Sequence, residues 1–453
     1  MNLVADSTHS FYLVGCAAAT VLLLLWLIAR VRLHPALALL VGAMGLGMAS
    51  GMPLDRVPLA FTTGVGNLMG HVAVVLALGA VLGQLLARSG GAAALGRTLV
   101  EGCGPQGMPW ALLATGLLVG MPVFFEVGLV LLLPIVAEVA RRSGKPPILV
   151  GLPVLAGLSI VHAVFPPHPA AMLAATQFHA DLGRTMLLGA IAGLPAAALA
   201  GPLLSRFLLR HWRPVPPENA LVADGFAENK EDSVGAIRAA AAILLPVLLI
   251  CLGSWADGLA APGSLPNRVL HFTGSPDLAL LIAVLAALAM LGPHIGREHG
   301  ASALRNVTAE AFPPIAGVLV VLAAAGGLSG VLRESGAAQA TVSLALGAHV
   351  PPLLLAWMLA AVVRIAMGSS TVAMAVAAGV LAPMAGSLGV RPELLVLATG
   401  TGSIILSHVN DPGFWMIQSF FKTDLKETLA SWTVLETILS LTGLGMTLLL
   451  SAF

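Results

Sequence analysis

The chain has 453 residues, of which 58% are hydrophobic and only 9% charged, with a mean hydropathy of +0.96. So few charges cannot cover a soluble globule of this size, which excludes an ordinary water-soluble domain and points to lipid. The net charge of +1 gives no reason to expect nucleic acid, and Cys16, Cys103 and Cys251 lie too far apart for a metal site or a disulfide framework.

The first apolar segment, 11–30, follows an acidic start and ends in Arg30 and Arg32, the reverse of a secretory signal, so it reads as a membrane span. At a minimum of about 17 apolar residues per crossing, further spans fall near 34–51, 69–88, 146–165 and 185–209. Residues 107–141 do not fit as one span. They form two short arms split by Gly120-Met121-Pro122-Val123-Phe124-Phe125-Glu126, and read as a re-entrant hairpin, with a pair of short spans as the competing reading. The polar stretch 211–238 then separates a first half, 1–210, from a second half, 239–453.

The second half repeats the rhythm, with spans near 237–254, 277–293, 312–332, 392–409 and 427–452 and a second hairpin over 351–387 around Gly368-Ser369-Ser370-Thr371. Five spans per half is an odd number, which forces the halves into opposite orientations, the inverted-repeat architecture. Lys and Arg agree with this map. Sixteen fall on one side, and Arg56, Arg184, Arg268, Arg333 and Arg391 on the other, with Arg364 inside a hairpin; the rich side is the cytoplasm. Both termini then face outward, the first hairpin enters from the cytoplasm and the second from outside.

A sparse internal repeat supports two halves: Pro169, Phe178, Asp181, Leu182 and Thr185 recur 243 positions later as Pro412, Phe421, Asp424, Leu425 and Thr428. Each copy begins in an interrupted apolar segment, 146–177 and 392–421, and unwound backbone at membrane depth is tolerated only around a site or cavity. Pro169 and Pro412, preceded by His168 and Asp411, read as first residues of half-helices. Ser369 and Ser370 can cap the second arm of their hairpin. Helix N-termini meeting at the membrane centre favour an anion. Asp181 and Asp424, each with Thr four residues on, read as structural caps.

Three kinds of ionisable group stand at these breaks. Arg364 precedes the Gly368 tip by one turn and either snorkels, pairs with a substrate carboxylate, or holds an acid such as Asp411. Glu126 at the first tip is either a cap or a proton carrier. His162, His168 and His408 flank the breaks and suit either a hydrogen-bonded structural role or proton transfer. No Walker A loop, nucleophile elbow or paired-His metal helix occurs, so neither ATP drive nor an enzyme is expected, and no cofactor or metal. A membrane enzyme, an inert scaffold and a passive channel are the readings outside coupled transport.

The stretches GMPVFFEVGLVLLLPI at 120–135, HAVFPPHPAA at 162–171, RIAMGSSTVAMA at 364–375 and LSHVNDPGFWMIQSFF at 406–421 resemble the gluconate:proton symporter (gluconate permease) family of the ion-transporter superfamily. The resemblance runs over essentially the whole chain. It implies an all-α elevator-type carrier in a bacterial cytoplasmic membrane, commonly a dimer, taking up a small sugar acid with protons. Carried over residue by residue, substrate contacts fall on Ser369, Ser370 and Thr371, with Phe125 and Glu126 in the other tip, and on His168, Pro169, Asn410 and Asp411 at the broken helices. The residues themselves add the expectation that Arg364 supplies charge to the substrate site and that Glu126, helped by His168 or Asp411, carries the proton. The first tip reads Phe-Phe-Glu rather than Ser/Asn/Thr, which favours protons over sodium. Gluconate is the first expectation; D-serine or another short hydroxy acid is the alternative, with a sodium-coupled carboxylate transporter behind it.

Overall fold

Proline opens eight of the helices, at Pro35, Pro147, Pro169, Pro276, Pro313, Pro352, Pro392 and Pro412, because its missing N–H costs nothing in the first turn and its φ is already helical. The computed structural model describes residues 2–104, 106–166, 168–211, 235–299, 303–338, 340, 351–409 and 411–452, and every regular element among them is helical. The first half gives α1 Asn2–Ala29, α2 Pro35–Ala49, α3 Arg56–Arg88, α4 Gly91–Glu101, α5 Met108–Gly120, α6 Phe125–Ser143, α7 Pro147–Val164, α8 Pro169–Phe178, α9 Leu182–Ala198 and α10 Leu204–His211. The second gives α11 Ala236–Ser254, α12 Ala256–Leu259, α13 Leu265–Thr273, α14 Pro276–His299, α15 Ala303–Glu310, α16 Pro313–Glu334, α17 Pro352–Met367, α18 Ser370–Leu381, α19 Pro392–Gly402, α20 Pro412–Phe421, α21 Leu425–Thr428 and α22 Val434–Leu450.

Small residues bring the helices into close contact, the packing lipid selects because it supplies no hydrophobic drive between helices. On α9, Leu187, Ile191 and Leu194 are exposed while Gly189, Ala192, Gly193 and Ala196 are buried. The α3–α16 crossing runs through Gly64, Gly326 and Gly330; a Cβ on Gly326 would stand 2.8 Å from the Gly64 carbonyl oxygen. A Cβ on Gly157 of α7 would meet the Leu117 amide of α5 at 2.6 Å. The halves interlock too: a Cβ on Gly400 of α19 would collide with the Ala163 carbonyl oxygen of α7, and one on Gly151 would meet the Phe421 ring at 2.7 Å.

Ten full-length spans are expected from the sequence; among the described residues eight helices are long and apolar enough to cross, or nine with the bent pair in α3. Residues 34–51 give only the 15-residue α2, started at Pro35 and stopped before Gly51, whose φ of +80° suits glycine. Residues 392–409 give only the 11-residue α19, because the chain turns away at Ser403. The expected 69–88 helix begins at Arg56 and bends by 42° between Gly70 and Ala73. The second arm of the later hairpin, Ser370–Ser387, is itself long enough to cross. Residues 212–234 of the expected linker lie outside the described residues.

The repeated motif folds the same way twice. Pro169 and Pro412 each open a ten-residue helix that ends on a left-handed residue, His179 (φ 57°) or Lys422 (φ 50°), with Phe178 and Phe421 buried. Asp181 then caps α9 by accepting from Arg184 N at 2.7 Å, and Asp424 caps α21 by accepting from Glu427 N at 2.7 Å. Thr185 and Thr428 donate back to the Asp181 and Asp424 carbonyls. A π-helical turn follows in each half, Leu199–Leu203 and Leu429–Thr433; Pro202, which cannot donate an i−4 bond, accounts for the first.

Candidate functional site

The helix breaks anticipated at the two prolines bring together side chains far apart in sequence. Asp411 is the N-cap of α20 and accepts from Gly413 N at 2.7 Å, which leaves its other oxygen to bind elsewhere. That oxygen receives Arg364 Nη2 from α17 at 2.5 Å and the Ser407 hydroxyl. Ser407 in turn accepts from Trp432 Nε1 at 2.7 Å, and its carbonyl accepts from Thr433, so the second π-turn locks the break. Arg364 and Asp411 are 4% and 7% exposed, a buried charge pair rather than a snorkelling arginine. Of the roles open to Arg364 in the sequence, holding Asp411 is the one this structure adopts.

The corresponding first break is built differently. His168, N-cap of α8, makes no capping bond with its side chain; it is 2% exposed and neither ring nitrogen has a partner among the described residues. It packs tilted against His162 at 4.1 Å between centroids and meets Phe124 edge-on at 5.9 Å. His162 Nε2 lies 3.2 Å from the Thr371 hydroxyl of α18, which ties the first break to the second hairpin. His162 also lies in the field of Arg364 and Asp411, so the two breaks share one electrostatic environment.

The remaining expected residues take up positions around these two clusters. Ser369 caps α18, accepting from Val372 N at 3.4 Å, and Ser370 lies 2.9 Å from Ser403, where the second break begins. Phe125 is buried and packs on Trp432 at 5.4 Å. Glu126, in the first turn of α6, is exposed. Pro169 opens α8, and Asn410 lies outside the described residues. Among the described residues no three His, Cys, Asp or Glu side chains gather as a metal cluster.

Ser407, Trp432 and Glu436 were not singled out by sequence. Glu436, on α22, is 1% exposed and lies beside Ser159 of α7. The available signal was its isolation: no other acid occurs between Glu427 and the C-terminus of an apolar segment.

A wide cavity does not sit on these residues. It measures about 640 Å³ and opens between α3, α8, α14 and α16, with Asn67, Thr176, Gln177, Asp277 and Arg333 on its wall. A second space, near 20 Å³, lies against Phe124 and His168, where Leu76, Leu82 and Ile243 press on the first tip. The wider cavity forms a vestibule that follows α8 away from His168.

A family model described as GntP family permease matches residues 12–453. The chain is similar to the gluconate permease of Pseudomonas aeruginosa, 42% identical over 445 residues and covering 98% of each chain. It is 39% identical over 434 residues to the high-affinity gluconate transporter of Escherichia coli K12, covering 96% of this chain and 98% of that one. The Gnt-II system L-idonate transporter of the same strain is 38% identical over 427 residues, with 94% and 96% covered. Among solved structures, the YdaH transporter of Alcanivorax borkumensis superposes with a TM-score of 0.66 at 21% identity over 93% of this chain and 98% of its own. MtrF of Neisseria gonorrhoeae gives 0.68 at 17% identity over 93% and 96%. At those identities the likeness is one of fold.

Proposed function

The chain belongs to the GntP permease family and is a multi-pass membrane transporter, and from that premise we propose that it takes up gluconate, or a close sugar acid such as L-idonate, with a proton across a bacterial cytoplasmic membrane. The observation that carries the reading is the buried Arg364–Asp411 pair at a helix break, since a charge pair at membrane depth is costly unless it lines a pathway.

The coupling follows from competition for one guanidinium. In the empty carrier Arg364 is neutralised by Asp411; a proton on Asp411 frees Arg364 for the carboxylate of the incoming sugar acid. Ser369, Ser370, Thr371, His168 and Asn410 then meet the hydroxyls, Phe125 and Pro169 shape the wall, and Glu126 at the other tip is the entry point for the proton. The matching folds of the two repeat copies support halves of opposite orientation, 1–210 and 239–453, with hairpins at 107–141 and 351–387. The site would move past a scaffold containing α3 and α16, in a carrier of two copies, with the vestibule as its outer entrance.

Uptake of labelled gluconate into proteoliposomes under an imposed inward proton gradient tests this. Accumulation that follows the proton gradient, and that L-idonate competes away, is expected. Uptake driven by sodium alone would overturn the coupling.

A further inference from the structure

Glu436 sits where a structural residue has little reason to be acidic. Within the span Leu425–Leu450 it lies about 17 Å from one end and about 21 Å from the other at 1.5 Å per residue, close to the middle of the bilayer. Its Oε1 is enclosed and has no partner among the described residues, and Ser159 of α7 lies beside it. A carboxylate so placed would be stranded; a carboxylic acid is tolerable.

Two further observations tie it to the site. Arg364 and Asp411 are the charged groups that act on it, although it contacts neither. One turn earlier on its own span, Trp432 donates to Ser407, which donates to Asp411, so a hydrogen-bonded chain runs from the Glu436 helix to the buried pair. Of the other elements packed on α22, α7 brings Ser159 and, one turn on, His162. On α19 the acid, Glu393, stands at the N-terminus beside Arg391, which binds Leu450 at the far end of α22. Arg184 of α9 is at that end as well, since neighbouring Asp181 bonds Glu393.

Building on the coupling reading above, we propose that Glu436 is the proton-exchange partner of Asp411 in this carrier. In the empty carrier Glu436 holds the proton and Asp411 holds Arg364. When a sugar-acid carboxylate reaches Arg364, the O–H bond on Glu436 breaks and one forms on Asp411. Glu436, now a carboxylate, takes a proton arriving from outside. On the inner side the substrate leaves, Asp411 loses its proton to the cytoplasm and pairs again with Arg364. One proton accompanies each substrate, and the site is electrically neutral in both forms that cross, which avoids moving an uncompensated charge through lipid.

The test compares the full-length wild type with E436Q and E436D in proteoliposomes. Wild-type uptake driven by a proton gradient comes first; its absence would remove the coupling reading itself, independently of Glu436. In E436Q, gradient-driven accumulation should fall by about 100-fold, while exchange of internal for external gluconate and thermal stabilisation by gluconate persist. E436D, which keeps a carboxyl group, should retain measurable accumulation. Accumulation in E436Q equal to wild type overturns the proposal, and so does loss of accumulation and exchange together in a variant that gluconate still stabilises. If E436Q does not fold, a folded E436D devoid of gradient-driven uptake overturns it equally.

Discussion

The guanidinium of Arg364 donates to the carboxylate of Asp411 across 47 residues of chain, with both side chains buried. Removing one partner leaves the other charge stranded, so R364M or D411N alone should lose about 3–5 kcal/mol of stability. The double variant should regain most of that loss without regaining uptake. Thermal unfolding in detergent together with gluconate transport separates the two effects; a double variant as unstable as the singles would contradict it.

Trp432→Phe keeps the ring that packs on Phe125 but deletes the N–H that holds Ser407. The lost bond should cost about 0.5–1.5 kcal/mol, and uptake should fall because the Asp411 loop loses its brace. An unaltered melting temperature and rate would show that Ser407 does not need the indole.

Thr371→Val leaves His162 Nε2 without its partner, a penalty of about 1–3 kcal/mol. Because the proposed site places substrate at Thr371, KM for gluconate should rise as well. A stability loss with KM unchanged would make Thr371 a support for His162 alone.

Gly400→Ala places a methyl group on the Ala163 carbonyl, backbone against backbone, where relief requires moving α7 from α19. Such overpacking should cost about 1–3 kcal/mol. Gly445→Ala meets nothing within 4 Å and should be neutral or slightly stabilising. Equal behaviour of the two variants would refute this packing account.

Outside the spans, Asp257 accepts from His271 and Asn267, and these bonds hold its carboxyl below the usual range. A carboxyl lowered on folding adds stability above its unfolded value and loses it as pH falls through the folded one. D257N should therefore melt slightly earlier than wild type at neutral pH, with the difference closing below about pH 4. A gap that widens in acid would reverse the assignment.

How much the sequence disclosed depended on whether the signal was local. The caps at Asp181 and Asp424, the helix starts at Pro169 and Pro412, and the candidate pairing of Arg364 with Asp411 were all legible, since each rests on a proline, a cap spacing or a lone charge. The early end of α19 was not: Thr399-Gly400-Thr401-Gly402-Ser403 contains no proline, and the turn is held by Ser403 bonding back to Gly400. The full length of α3 was masked by Thr63, Gly64 and Asn67, polar or small residues that face the vestibule or α16. The vestibule itself depends on the gap between helices remote in sequence, which no local pattern encodes.

The seating of Phe421 against Gly151, and of Gly400 against Ala163, means that each half finishes the interior of the other. A chain severed between residues 212 and 234 should yield two fragments that are degraded when made singly and accumulate when co-expressed. The interior of this carrier is thus complete only when both halves are present.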